Sequence, residues 1–187
     1  MIKTIKITAL LLLISIKGFS QLDTLTLEDG QTLEGSVIII DKAKVYFESA
    51  DDGKRKWYKK VKSVNDYYED TLIEFKFRDI KGFSKYLTGL VCEGKVSYYK
   101  YYKYIPGSGK TQLGTDNVGS TYAFFFMVNE STGKILEDMP NSLVTPYKKR
   151  MAKFFSDCDE LVNKINNDEY KEENTIDAVT FFNENCN

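Results

Sequence analysis

The sequence predicts an α+β protein with its strands first and its helices last. Three observations carry that expectation. From Leu22 to about Met139, apolar residues alternate with polar ones between tight turns. After Thr145-Pro146 the apolar spacing changes to a helical period. The composition, 42% hydrophobic with 13 Tyr and 12 Phe, supplies enough apolar surface for a real core. The expected architecture is an N-terminal antiparallel β-sheet or small SH3-like barrel, an extended β meander, and C-terminal helices packed on the sheet.

Residues 1–20 have the pattern of an export signal. Lys3 and Lys6 precede the apolar run Ile7 to Ile16, and Gly18-Phe19-Ser20 places small residues before an expected cut at Gln21. The run is about half the roughly 20 apolar residues that a spanning helix needs, and Lys17 interrupts it. Gln21 is not the cysteine that lipid attachment requires. The expected mature chain is therefore a single α+β domain over 21–187, β-rich over 21–140 and helical over 141–187. It is exported to the periplasm or the cell exterior, with no transmembrane segment.

The strands follow in order. Leu25 and Leu27 alternate with Thr24 and Thr26, Asp29-Gly30 turns the chain, and Leu33 to Ile40 returns it with a β-branched run. Ala43 to Ser49 forms the next strand. Asp51-Asp52-Gly53 then turns into Lys54 to Lys62, where Trp57, Val61 and intervening lysines suit a partly exposed strand. In Tyr68 to Ile80, Phe75 and Phe77 share a face. Gly82 to Gly94 reads as a short helix, with Phe83, Tyr86, Leu87 and Leu90 at near-helical spacing. Lys95 to Ile105 and Ser120 to Asn129 read as long strands around a polar loop, and Ser131-Thr132-Gly133 leads into Lys134 to Met139.

Three helices are expected at the end. Pro146 suits a first helical position, and Tyr147, Met151, Phe154 and Phe155 make an apolar stripe. Asp157 is a cap for a second helix carrying Leu161, Val162 and Ile165. Asn174 or Thr175 caps a last one holding Ile176, Val179, Phe181 and Phe182. In an oxidising compartment two of the three cysteines are expected to pair. Cys158 and Cys186 lie on neighbouring helical segments and make the preferred bridge, leaving Cys92 as a small buried hydrophobe.

Several chemistries are disfavoured. The chain has no histidine, which removes the usual neutral-pH acid/base group, the usual zinc ligand and the Ser-His or Cys-His nucleophile pairs. Setting aside the leader's three lysines leaves 23 basic residues against 27 acidic, a balance of −4 that does not suit a nucleic-acid partner. The cysteines lack the close spacing of a metal site, and no metal or cofactor is expected. Pro106-Gly107-Ser108-Gly109-Lys110-Thr111 imitates the end of a phosphate-binding loop, but Tyr104 stands where its first glycine belongs, so no nucleotide is expected. Asn129-Glu130-Ser131 matches a glycosylation pattern and equally fits a turn. The acidic pairs Asp51-Asp52, Glu69-Asp70 and Glu172-Glu173, and the group Asp157, Asp159 and Glu160, read as solvated charges.

The candidate binding residues are Tyr98, Tyr99, Tyr101, Tyr102 and Tyr104. On a strand, Tyr98, Tyr102 and Tyr104 share a face with Lys100 while Tyr99 and Tyr101 point the other way. One face then serves the core, and the other is available to stack on sugar rings or grip a peptide. Cross-strand packing of the same rings is the competing reading.

Taken together, Gly18-Phe19-Ser20-Gln21, the hairpin Asp29 to Gly35, Gly94-Lys95-Val96-Ser97-Tyr98-Tyr99, and the endings Phe155-Ser156-Asp157-Cys158 and Phe182-Asn183-Glu184-Asn185-Cys186 resemble a group of exported proteins of Bacteroidota. The resemblance implies export and the cysteine pairing, and implies no activity. The sequence thus favours a non-enzymatic protein that binds an envelope protein or glycan. A carboxylate-dependent cell-wall glycan hydrolase and a structural envelope subunit are the alternatives.

Overall fold

The computed structural model describes residues 22–68, 71–105, 119–138 and 145–186. The leader and the loop with the phosphate-loop look-alike lie outside them. Among the described residues ten strands form one sheet: β1 (Asp23–Leu27), β2 (Thr32–Asp41), β3 (Lys44–Ser49), β4 (Arg55–Tyr58), β5 (Val61–Tyr68), β6 (Thr71–Phe77), β7 (Leu87–Cys92), β8 (Val96–Ile105), β9 (Ser120–Asn129) and β10 (Ile135–Asp138). Their spatial order is β10-β9-β8-β7-β6-β5-β1-β2-β3-β4, every pairing is antiparallel, and the sheet is open, with β4 and β10 at its edges. Three helices follow, α1 (Tyr147–Phe154), α2 (Asp159–Asn166) and α3 (Thr175–Asn185), with a 3₁₀ turn at Glu172–Asn174 before the last. The α+β class is as the sequence predicts. No described helix is long and apolar enough to cross a membrane.

The turns form for local reasons. Gly30 and Gly53 take positive φ, at 90° and 65°, where a side chain would be strained. Asp29 Oδ1 accepts the Gln31 N–H at 3.0 Å, which fixes the first hairpin. Register irregularities at Thr26/Leu27, Val37/Ile39 and Leu90/Cys92 bend the strands that carry them. The sheet consequently curls until β2 lies against β8 and the Lys42 carbonyl accepts the Leu87 N–H at 3.2 Å. Inside the curl, Leu25, Ile40, Val45, Phe47, Val64, Ile73, Phe75 and Leu87 are buried.

The helices cover one face of β8 and β9. Met151, Phe154, Phe155, Leu161, Ile165, Ala178, Val179 and Phe182 pack with Val96, Tyr98 and Met127. Asn183 on α3 fastens the two layers: its Oδ1 accepts the Val96 N–H at 2.8 Å and its Nδ2 donates to the Val96 carbonyl at 2.9 Å. Cys158 and Cys186 are joined, as the sequence predicts, and hold the end of α3 beside the start of α2. Cys92 is a free thiol, half-buried rather than fully enclosed, next to Asn183.

Three local readings are corrected. Gly82 to Gly94 is not a helix. Phe83 stacks on Phe126 at 3.8 Å between ring centroids, Leu87 enters the opposite core, and the chain between them turns into β7. Lys54 to Lys62 is not one strand, because the chain turns at Lys59-Lys60 between β4 and β5. Asp157 stays exposed, and α2 begins after Cys158 instead.

Two stability measurements follow. The disulfide closes a separation of 28 residues, so replacing both cysteines by alanine lowers stability by about 3.5 kcal/mol. Thermal unfolding then shifts down by roughly 7–14 °C. Gly35 lies where a methyl group would overlap the Glu48 carbonyl oxygen and the Phe47 ring, so Gly35→Ala forces β2 from β3. Its cost is about 1–3 kcal/mol, read from the denaturation midpoint.

Candidate functional site

Tyr98, Tyr99 and Tyr101 of β8 are buried, which fits the cross-strand packing reading and leaves no exposed strip from these three rings. Tyr98 (4% exposed) faces the helices, stacked on Phe125. Tyr99 (9%) and Tyr101 (3%) face the other way, where Ile80, Phe83 and Tyr86 cover them. Tyr102 is half-buried, packs on Phe75 and donates its hydroxyl to Asp66 at 2.7 Å. Tyr104 is half-buried near Gly119. Burial together with the Glu137 carboxylate, which accepts its hydroxyl, raises the Tyr101 pKa well beyond the ordinary phenol range. These rings bring clusters together rather than a surface.

The other sequence candidates also serve structure. Asn129 is 7% exposed, and its Oδ1 accepts the N–H groups of Ser131 and Thr132 at 3.2 and 3.0 Å, which is the turn reading of that triplet. Asp52 pairs with Lys54 at 2.8 Å. Asp157, Asp159 and Glu160 are exposed, and residues 69 and 70 lie outside the described segments. No group of three metal-ligating side chains occurs among the described residues.

A shallow groove lies at the sheet's N-terminal edge. With a volume of about 590 Å³, it runs between the end of β1 with its turn (Leu27, Glu28, Asp29) and the segment from Lys56 to Lys60. The Glu28 N–H donates to the Lys60 carbonyl at 3.0 Å and holds the two walls together. Cross-strand register puts Lys56 and Tyr58 on the inner face with Phe47 and Val45, and Arg55 and Trp57 on the outer face with Glu48 and Tyr46. The Lys56 ammonium sits over the Tyr58 ring at 4.7 Å. Trp57, the chain's single tryptophan, is 43% exposed and lies 5.3 Å from the Tyr46 ring. The signal for this site was visible as a lone tryptophan in a lysine-rich run, but a partly exposed strand explained it equally well.

A second polar constellation depends on strand pairing. Thr24 and Asn65 are partners across β1 and β5, and one step further Asp23 and Asp66 approach each other. Asp23 accepts the Val37 N–H at 2.8 Å, and Asp66 accepts the Tyr102 hydroxyl. Asp66 and Tyr102 line a crevice of about 120 Å³ with Val37, Ile38, Ile40 and Thr121, whose buried Oγ1 has no hydrogen-bond partner among the described residues. Forty-odd residues separate the two aspartates, so sequence spacing gives no hint of the pair.

Comparisons with known protein families, with curated proteins and with solved structures find no match for this chain.

Burial raises the Asp23 pKa above its ordinary 3.8 and the Asp66 charge adds to this, against the opposing Val37 hydrogen bond. A carboxyl with a raised folded-state pKa contributes stability that is complete below the unfolded value and lost as pH rises through the folded one. Asp23→Asn keeps an acceptor for Val37 without the charge. The variant therefore has the higher urea midpoint at neutral pH, where Asp23 is charged, and the difference closes as pH falls below the ordinary carboxylate value of 3.8.

Proposed function

We propose that this chain is an exported, non-enzymatic binding protein of the periplasm or cell exterior, and that it engages an envelope component, a glycan or a partner protein, at the groove beside β4. One observation carries the reading: an exposed tryptophan borders a groove walled by lysines, on an edge that the helices leave uncovered. The order β5-β1-β2-β3-β4, with a short β4–β5 turn, supports viewing these strands as a small SH3-like barrel left unclosed at β4. The groove then occupies its open end. Export is supported by the leader pattern and agrees with a disulfide in the chain. The resemblance to the Bacteroidota group points the same way.

The hydrolase alternative draws on Asp23 and Asp66. Asp23 already holds the neighbouring β2 through Val37, and Asp66 ties β5 to β8 across the curl through Tyr102, which favours a structural role for the pair. A structural subunit joined through Cys92 gains little support, since that thiol is partly enclosed and beside Asn183.

The test uses the protein exported by its own leader. Mass measurement is expected to place the new N-terminus at Gln21, and an intact Met1 on cytosolic material overturns the localisation. Immobilised protein is expected to retain an envelope fraction that Trp57→Ala loses by at least tenfold, with the circular dichroism spectrum unchanged. Equal retention by the variant overturns the site.

A further inference from the structure

We infer that the groove takes an acidic glycan, one whose sugars carry carboxylate or phosphate groups; this names the ligand class for the site proposed above and rests on that reading. The volume, about 590 Å³, lies within the roughly 300–1,000 Å³ of clefts that hold small ligands. Three properties of its walls match three properties of a charged sugar.

The first match is charge. Residues 54–62 contain six cations and no acid. Lys54 and Arg55 are spent on Asp52 and Glu48. Lys56, Lys59 and Lys60 form no salt bridge among the described residues, and all three line the groove. The second match is the ring face. Trp57 lines the groove with a ring left 43% exposed, on which a pyranose can lie, and Tyr46, outside the lining, backs it at 5.3 Å. The third match is hydroxyl recognition. Glu28 and Asp29 stand on the wall across from the lysines as acceptors for O–H donors, with Asp29 using only Oδ1 in its own turn.

An acidic peptide uses the lysines but brings no sugar face to the Trp57 ring and no run of hydroxyls to Glu28 and Asp29, whose charges repel either polyanion alike. Lysines on an edge strand also guard it against pairing with another chain. That guard explains charges on β4 itself. It does not explain Lys59 and Lys60, which lie beyond the strand, nor a tryptophan left 43% exposed at an edge, where it invites contact.

The full chain is titrated calorimetrically at low ionic strength with polygalacturonate and with phosphomannan, alongside fully methyl-esterified polygalacturonate, dextran, polyglutamate and oligo(dT). Binding to either acidic glycan is expected, weakening with added salt. Methyl esterification, Trp57→Ala and the double variant Lys59→Gln/Lys60→Gln each lower affinity by at least tenfold. Circular dichroism is expected to stay unchanged in both variants, and the thermal midpoint in the lysine variant, whose side chains are exposed, while Trp57→Ala lowers it by a few degrees, about what loss of the Tyr46 contact costs. Equal binding of the esterified polymer or dextran overturns the acidic class and leaves the groove reading standing. Polyglutamate or oligo(dT) binding as tightly overturns the glycan class. No binding to any acidic glycan overturns the inference while the envelope retention assay still decides the wider function. Glycan binding that survives both variants overturns the groove.

Discussion

The structure depends on β8, whose ten residues supply side chains to all three apolar clusters among the described residues. Alternation on a strand allows two faces, and the curl of the sheet divides one of those faces into two environments. Val96 and Tyr98 pack beneath the helices, Tyr102 enters the curled N-terminal core, and Tyr99 and Tyr101 face the cover formed by Ile80, Phe83 and Tyr86. Lys100 lies where the first two meet, 4% exposed, its ammonium 4.8 Å from the Tyr102 ring centre. Aromatic side chains suit this position because each buries a large area with few rotatable bonds. Tyrosine in particular lets a ring serve the core while its hydroxyl reaches a carboxylate at the margin, as at Asp66 and Glu137.

The helical layer is secondary to that strand. Its helices have 8, 8 and 11 residues, lengths at which an isolated helix is marginal in water. They persist because their apolar stripes meet β8 and β9, because Asn183 engages both backbone groups of Val96, and because Lys134 donates to the carbonyls of Lys153 and Phe154 at the end of α1. The disulfide adds a covalent limit on how far α3 can leave α2. Contacts from the sheet and one sulfur bridge thus replace helix propensity as the source of order.

Much of this was legible from local chemistry. Asp29-Gly30 and Asp51-Asp52-Gly53 announce turns by residue type, and the helical third announces itself by a change of period. What escaped was decided at long range. Phe83, Tyr86, Leu87 and Leu90 have helical spacing, yet they serve opposite faces of a sheet, and Gly89 must lack a side chain because Ile73 and Phe75 occupy its space. The β8 tyrosines looked available because half of a strand usually faces water, whereas here a turn segment closes over that half. Asp23 and Asp66 became neighbours only through β1–β5 pairing. Trp57 stands out in the sequence as a lone tryptophan, but its place on an edge strand beside a groove depends on the β3–β4 pairing.

These same constraints determine where a ligand can be accommodated. A surface built from the β8 rings would require opening a cluster in which Phe83 stacks on Phe126 and Tyr101 is hydrogen-bonded to Glu137, so any gain in contact would be offset by lost burial. The helix face is closed by packing and by sulfur. At β4 the situation differs: its side chains are mostly exposed, its outer backbone groups have no strand partner among the described residues, and Val45 and Phe47 beneath it are already fully buried by neighbouring strands. Contacts made there add to the folded state without withdrawing anything from its cores. A sheet covered by helices on one side and open on the other thus leaves its least committed surface at the edge farthest in strand order from β10, which is why the proposed site is placed there.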